Sequence, residues 1–274
     1  MSETGVVLVT GVGRLRGIGA AIARGLAQDG WDLALSYWHE YDDRLGYPHG
    51  DDDPLRLAEE LRALGVRVEL IPGDLADPEV PEQLVHAVRE RLGEVTALVM
   101  SHCESVDSGI LDTTVDSFDR HYAVNVRASW LLIAAFAPAE RPGGPVVALT
   151  SDHTTYNLPY GATKGALDRL VIAACHELGD AHIRANLINP GPIDTGWMTD
   201  GIRASGMAAT PGGRLAGPET TADLIRFLLS ERGRWINGQL LYSNGGFRTP
   251  AGCPTRAHPV NESDISCICS ISAC

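Results

Sequence analysis

Tyr160 and Lys164 stand four residues apart in Pro159-Tyr160-Gly161-Ala162-Thr163-Lys164, a spacing that puts both on one face of a helix. Helix is the expected state here. Pro159 suits a first turn, Ala166, Leu167, Leu170, Val171 and Ala174 recur at helical spacing, and Gly179 offers a stop. An ammonium beside a phenol favours the phenolate and lowers a pKa that is ordinarily ~10. A tyrosine tuned in this way can pass a proton at neutral pH. Lys164 is also the one lysine of the chain; every other member of its 22 Lys and Arg residues is arginine. Taken alone, the pair equally describes a surface lysine beside a half-buried tyrosine, so the surrounding elements must decide.

Near the start, Gly5-Val6-Val7-Leu8-Val9-Thr10 reads as a buried strand. It runs into Gly11-Val12-Gly13-Arg14-Leu15-Arg16-Gly17-Ile18-Gly19 and then the helical Ala20 to Ala27. Strand, glycine-rich turn and helix in that order are the context of a dinucleotide site. The glycines let the backbone approach a pyrophosphate, and the helix N-terminus supplies free N–H groups and a partial positive charge. The second strand, Trp31 to Tyr37, carries Ser36 near its end where many NAD-binding units carry an acid for the ribose hydroxyls. With Arg16 in the loop and no acid at Ser36, NADP(H) is the expected cofactor. Glu40, Asp42 and Asp43 follow closely enough to keep NAD(H) possible.

The rest of the chain alternates strand and helix patterns. Residues 39–54 read as a polar loop, 55–64 as helix, 67–71 as strand, 79–92 as helix and 97–100 as strand. A helix is expected over about 116–136, then the strand 146–149, the Tyr160 helix, the strand 184–188, a helix over 218–230 and a last strand 239–242. This alternation predicts an α/β fold, a Rossmann-type doubly wound parallel sheet in one domain over residues 1–247. Asp74 falls at a strand end, where ligands gather in such sheets. Residues 248–274 change character: prolines interrupt a polar stretch that ends in a Ser/Cys-rich run, and a flexible tail is expected.

Composition excludes several function classes. A formal charge of −13 argues against nucleic acid and anionic membranes as partners. No apolar run approaches the ~20 residues of a membrane span, and Met1-Ser2-Glu3-Thr4 lacks a basic leader region, so a cytoplasmic location is expected. Four of the six cysteines lie in the tail, which rules out a disulfide scaffold for the body. No cluster has a usual metal-ligand spacing, and no metal site is expected.

Taken together, the motifs make residues 5–247 resemble the short-chain dehydrogenases/reductases. They are the Thr10-Gly11…Gly17-Ile18-Gly19 loop, Asp74, Asn125 in a mid-chain helix, Ser151 after the fifth strand, Tyr160-x-x-x-Lys164, and Asn189-Pro190-Gly191-Pro192-Ile193-Asp194-Thr195, with Asn244-Gly245-Gly246 at the close. The resemblance, nearest to oxoacyl-thioester reductases and sugar dehydrogenases, implies hydride transfer between a nicotinamide and a carbonyl or secondary alcohol. It implies Tyr160 as proton donor or acceptor, Lys164 holding the nicotinamide ribose and lowering the tyrosine pKa, Ser151 orienting the carbonyl, and Asn125 holding a relay water. Gly11, Arg16, Gly17, Ile18 and Gly19 would face the phosphates, Ser36 the ribose end, Asp74 the adenine, and Pro190, Gly191, Ile193 and Thr195 the nicotinamide side. It also implies a homodimer or homotetramer.

Three features depart from the pattern. Five residues separate Gly11 from Gly17, a longer spacer than in the main branch. A longer loop also occurs among enoyl reductases, but these space their Tyr and Lys more widely. Ser151 lies nine residues before Tyr160, a shortened interval that leaves Thr150, Thr154 or Thr155 as rivals for the hydroxyl role and Tyr156 as a possible substrate contact. Ser101-His102-Cys103-Glu104 stands where Asn-Asn-Ala-Gly is common, and packing is the favoured role for His102 and Cys103. Trp197, Met198 and Met207 fall in a Gly/Ala-rich segment of the kind that forms substrate lids. A non-catalytic NADP-binding sensor on the same fold is the competing class.

Overall fold

A computed structural model describes residues 5–137, 143–196 and 198–247. The readings made on Trp197, the leader region and the tail lie outside the described residues. Among those described, seven strands form one parallel sheet in the order β3-β2-β1-β4-β5-β6-β7. They are β1 Val6–Thr10, β2 Asp32–Tyr37, β3 Val68–Pro72, β4 Val95–Met100, β5 Pro145–Leu149, β6 Arg184–Asn189 and β7 Leu240–Tyr242. The central strands read as unbroken apolar runs because helices cover both faces. Val7 and Val9 of β1 point into one core with α1 (Ile18–Gln28), Leu57 and Leu61 of α3 (Asp53–Arg62), and Ile225 of α9 (Pro218–Leu229). Val6 and Leu8 point into the other, with α4 (Val80–Arg91), α6 (Ala128–Phe136) and α7 (Leu158–Glu177).

The sheet grows outward from β1 in both directions, toward β2 on one side and β4 on the other. The carboxyl ends of these two strands therefore flank a crevice, the place where open α/β sheets bind ligands.

Two expectations need correction. Residues 39–54 are not one loop: His39–Leu45 forms a helix, α2, closed by Gly46 at φ +65°, and α3 begins at Asp53. The stretch His39-Glu40-Tyr41-Asp42-Asp43-Arg44-Leu45 has no apolar stripe, and its fixed side chains make polar contacts instead. The helix expected over 116–136 is also not uniform. It runs as α5 (Val115–Tyr122), a π-helical turn at Ala123–Arg127, and α6. The turn carries Asn125, and single π turns inside helices often sit at functional positions.

Candidate active site

At the carboxyl end of β1, Gly11 takes φ +76°, and a Cβ there would lie 2.7 Å from the backbone of Ser101 and His102. A Cβ on Gly19 would lie 2.4 Å from the Gly11 carbonyl oxygen. Both positions therefore require glycine for the helix and loop to meet so closely. Val12 N–H donates to the Ser36 carbonyl at 3.0 Å, tying the loop to the end of β2. Gly17 is the extended N-cap of α1, whose first N–H groups and positive dipole end open onto the loop. The cleft beyond is lined by Gly11, Gly13, Arg14, Ser36, Asp74 and His102, among others.

Arg14, not Arg16, is the glycine-loop arginine lining that cleft. Arg16 is exposed, and its guanidinium lies over Gly196, where a Cβ would come within 3.1 Å of Cζ. Spacing along a loop does not fix where its side chains point, so the sequence offered no signal to separate the two arginines.

After β4, His102 is packed into the wall. Its Nδ1 meets Thr10 Oγ1 at 2.6 Å and its Nε2 meets the Val124 carbonyl at 3.1 Å. Burial, and then the positive charge of Lys164, push its pKa down to about 3. The ring is therefore neutral, with Nε2–H donating to Val124 and Nδ1 accepting from Thr10. Two residues on, the Glu104 carboxylate is 2% exposed and paired with Arg44 at 2.5 Å and Arg120 at 3.2 Å, and Arg120 reaches Asp74 at 3.3 Å. Asn125 joins this segment to α7. Its Oδ1 accepts from Glu104 N–H at 2.8 Å, while its Nδ2 donates to the Glu104 carbonyl at 2.9 Å and to Thr163 Oγ1 at 3.0 Å. Both of its amide hydrogens are thus engaged by the protein.

Tyr160 and Lys164 lie one turn apart on α7, each 1% exposed. Lys164 Nζ donates to the Leu149 carbonyl at 2.8 Å and sits 5.5 Å from the Tyr160 ring centre. Burial of this ammonium against a carbonyl at the end of β5 separates it from an ordinary surface lysine. Of the rival hydroxyls, Thr150 donates to Asp168, and Thr154 and Thr155 are exposed. Ser151 remains buried, with Oγ accepting from His153 N–H at 3.2 Å, so its own proton is left to donate. The His153 ring packs edge-on to Tyr160 at 6.1 Å. Asn157, at the N-cap of α7, donates to Ser105 Oγ and Asp107, which ties the shortened loop back to the segment after β4.

The turn after β6 completes the rim. Asn189 Oδ1 accepts from Gly191 N–H at 3.0 Å, and Gly191 takes φ +65° against Asn244. Ile193 is buried and bridges to Ala216. Thr195 is 3% exposed, and its Oγ1 has no hydrogen-bond partner among the described residues. Asp194 anchors the segment that follows. Burial raises its pKa, but the Gly196 N–H bond and the Arg203 pair outweigh that and hold it below the usual carboxylate range.

Comparison with known proteins agrees with this geometry. A family model described as "Enoyl-(Acyl carrier protein) reductase" matches residues 11–248. The oxidoreductase YjdA of Bacillus subtilis (strain 168), itself uncharacterized, is 32% identical over 90% of this chain and 98% of its own length. The chain belongs to the short-chain dehydrogenase/reductase family. This family of NAD(P)-dependent oxidoreductases also includes the L-rhamnose 1-dehydrogenase (NAD(P)(+)) of Sphingomonas sp. (strain SKA58), 32% identical over 89% of this chain and 96% of its own. Among solved structures of short-chain reductase fold, a blue fluorescent protein from a metagenomic library, in complex with NADPH, superposes with a TM-score of 0.81. It is 31% identical and covers 89% of this chain and 98% of its own. Among the described residues no helix is long and apolar enough to cross a membrane.

Proposed function

We propose that this short-chain reductase uses NADP(H) to interconvert a carbonyl compound and its secondary or primary alcohol, with Tyr160 as the proton donor or acceptor. The observation that carries the reading is the Tyr160–Lys164 pair, buried one turn apart on α7 with the Lys164 ammonium fixed on the Leu149 carbonyl at the end of β5. The residues fit a dinucleotide. Gly11 and Gly19 let the loop close tightly on the start of α1, whose first N–H groups are free for phosphates, and the buried Thr195 Oγ1, without a hydrogen-bond partner among the described residues, suits a carboxamide. When bound, the dinucleotide supplies or accepts the hydride at the carbonyl carbon. In the reducing direction Tyr160 gives its phenol proton to the substrate oxygen, and the Lys164 ammonium stabilises the phenolate left behind. Ser151 donates to that same oxygen, fixing the carbonyl against Tyr160. Asn125 acts in this reading as a positioning residue, bracing α7 against the segment after β4. Gly17, Ile18 and Gly19 offer backbone N–H groups to the phosphates; Ser36 and Asp74 border the adenosine, and Pro190, Gly191, Ile193 and Thr195 the nicotinamide.

The test is titration with NADPH and NADH, then turnover on 3-keto thioesters, keto sugars, aldose lactol pairs and quinones. NADPH oxidation that disappears in Tyr160→Phe while NADPH still binds is the expected result. Tight binding with no turnover on any carbonyl would instead support a sensor. The description of the matching family model and the long glycine loop favour an enoyl reductase as the second reading. It requires turnover of an α,β-unsaturated thioester and none of the 3-keto compound. We also propose that the chain works as a homo-oligomer, because the outer side of α5 and α6 exposes Val115, Tyr122 and Trp130.

A further inference from the structure

The segment from Trp38 to His49 lies across the cofactor crevice and is fastened on both sides of it. On the side of the glycine loop, Arg14 Nε stands 3.4 Å from Asp42 Oδ1, with the two side chains 11% and 7% exposed. A Cβ on Gly13 would lie 3.0 Å from Asp42 Oδ2, so α2 rests directly on the loop. On the far side Arg44 pairs with Glu104, and Tyr41 OH donates to the Ser105 carbonyl at 3.4 Å. Tyr47 supports Arg14 from one face, its ring centre 5.0 Å from Cζ. The His49 and His39 rings stack at 4.9 Å behind the Asp42 carboxylate, and His49 Nε2 meets Asp43 at 2.9 Å. The carboxylate is thus held in place by the fold.

Arg14 and Asp42 both line the crevice beside Ser36, at the end of β2. There a guanidinium pairs with the 2′-phosphate that distinguishes NADP from NAD, and an acid repels it. This chain carries both, in contact. Arg16 is elsewhere, over Gly196. A 2′-phosphate therefore meets Asp42 as a second anion at Arg14, whereas a 2′-hydroxyl can accept from the guanidinium or donate to the carboxylate without displacing either.

We propose that Asp42 is the residue that sets cofactor choice, its carboxylate engaging Arg14 and holding the preference for NADP(H) over NAD(H) below what the arginine alone would impose. This rests on the dinucleotide reading above. The acid expected at the end of β2 is supplied here from the next element.

The experiment measures Kd by fluorescence titration and kcat/KM for NADPH and NADH in the full chain, in Asp42→Asn, in Arg14→Met and in the double variant, with Asp42→Ser as a second route should Asp42→Asn fold poorly. Releasing a charge-assisted pair is worth about tenfold. The NADPH/NADH ratio of Kd and of kcat/KM should therefore shift about tenfold toward NADPH in Asp42→Asn, and about tenfold the other way in Arg14→Met. In the Arg14→Met background, Asp42→Asn should move the ratio by clearly less than it does with Arg14 present, since only direct repulsion between the carboxylate and the 2′-phosphate is then relieved. An unchanged ratio in both Asp42 variants overturns the proposal, as does an equal shift with and without Arg14. Failure of the unaltered protein to bind either dinucleotide would overturn the cofactor reading itself. Binding of both with an unmoved ratio would overturn only the role of Asp42.

Discussion

His102 fills its site by using both ring nitrogens, and this makes it a liability in acid. Its pKa falls from 6.5 to about 3, chiefly because burial disfavours the imidazolium. Above pH 6.5 the ring is neutral whether the chain is folded or not, and its contribution to stability is fully present. Between pH 6.5 and about 3 the unfolded chain takes up a proton that the folded chain refuses, so stability is lost as pH falls. The slope is about 1.4 kcal/mol per pH unit, or about 2 kcal/mol from pH 6.5 to pH 5. Urea midpoints at pH 7 and pH 5 should show this loss in the unaltered protein and a smaller one in His102→Asn. His121, whose pKa burial also lowers, keeps a share of the slope in both. Parallel pH dependence of the two proteins would show that His102 is not the proton-refusing group. At this scale the sequence was informative about types and poor about directions. Tyr160 and Lys164 could be paired from motif spacing because helix geometry fixes where they point, whereas the shortened interval before Tyr160 left Ser151 with Thr150, Thr154 and Thr155 as rivals. Arg14 could not be chosen over Arg16, because a loop has no period from which to read a side chain's direction.

Between β5 and α7 the loop is short, and its geometry depends on one glycine. Gly161 stands in the first turn of α7, where alanine would normally favour the helix by up to about 1 kcal/mol. Here a Cβ would lie 2.4 Å from the His153 carbonyl oxygen and 3.1 Å from its carbon. Gly161→Ala must therefore displace the loop that holds Ser151 and His153. The expected outcome is a fall in kcat of about tenfold or more, with the Kd for NADPH within about twofold of the unaltered value because the glycine loop is on separate strands. A normal kcat in a folded Gly161→Ala protein would remove the loop from the account of how the carbonyl is oriented. Tyr156 in the same loop takes φ +60° and is exposed, a backbone state that L-residues rarely hold. Replacing it with glycine should stabilise the fold by about 1 kcal/mol, measured as a rise in the thermal midpoint. Elements built on apolar periodicity, such as α1, α4, α7 and the strands, were legible from sequence. Those held by polar contacts were not. α2 is fixed through Tyr41, Asp42 and Arg44, and the π turn at Asn125 is held by polar contacts of the Asn125 amide with Glu104 and Thr163.

At the scale of the molecule, the two sides of the sheet are finished differently. Exposed charges cover α3 and α4, but α6, with the sequence Ala128-Ser129-Trp130-Leu131-Leu132-Ile133-Ala134-Ala135-Phe136, is apolar on its outer side as well. A helix apolar all round is normally buried all round, yet Trp130 is 55% exposed and Tyr122, two turns earlier, is 49% exposed. Beside them α7 presents small residues outward: Ala162 and Gly165 are exposed, and a Cβ on Gly165 would meet no atom within 4 Å. An exposed helical glycine costs about 1 kcal/mol relative to alanine, and among the described residues nothing packs against Gly165 to compensate for it. A second copy packed helix to helix across α6 and α7 would bury Trp130 and use the space at Gly165 for close backbone approach. The full chain should then show at least a dimeric mass by light scattering at micromolar concentration. Trp130→Glu and, separately, Gly165→Leu should lower that mass toward the monomer while leaving the far-ultraviolet circular dichroism unchanged. A monomeric mass for the unaltered protein would refute this packing. If Trp130→Glu alone dissociated the assembly and Gly165→Leu did not, the contact would be confined to α6, and the glycine would need another explanation.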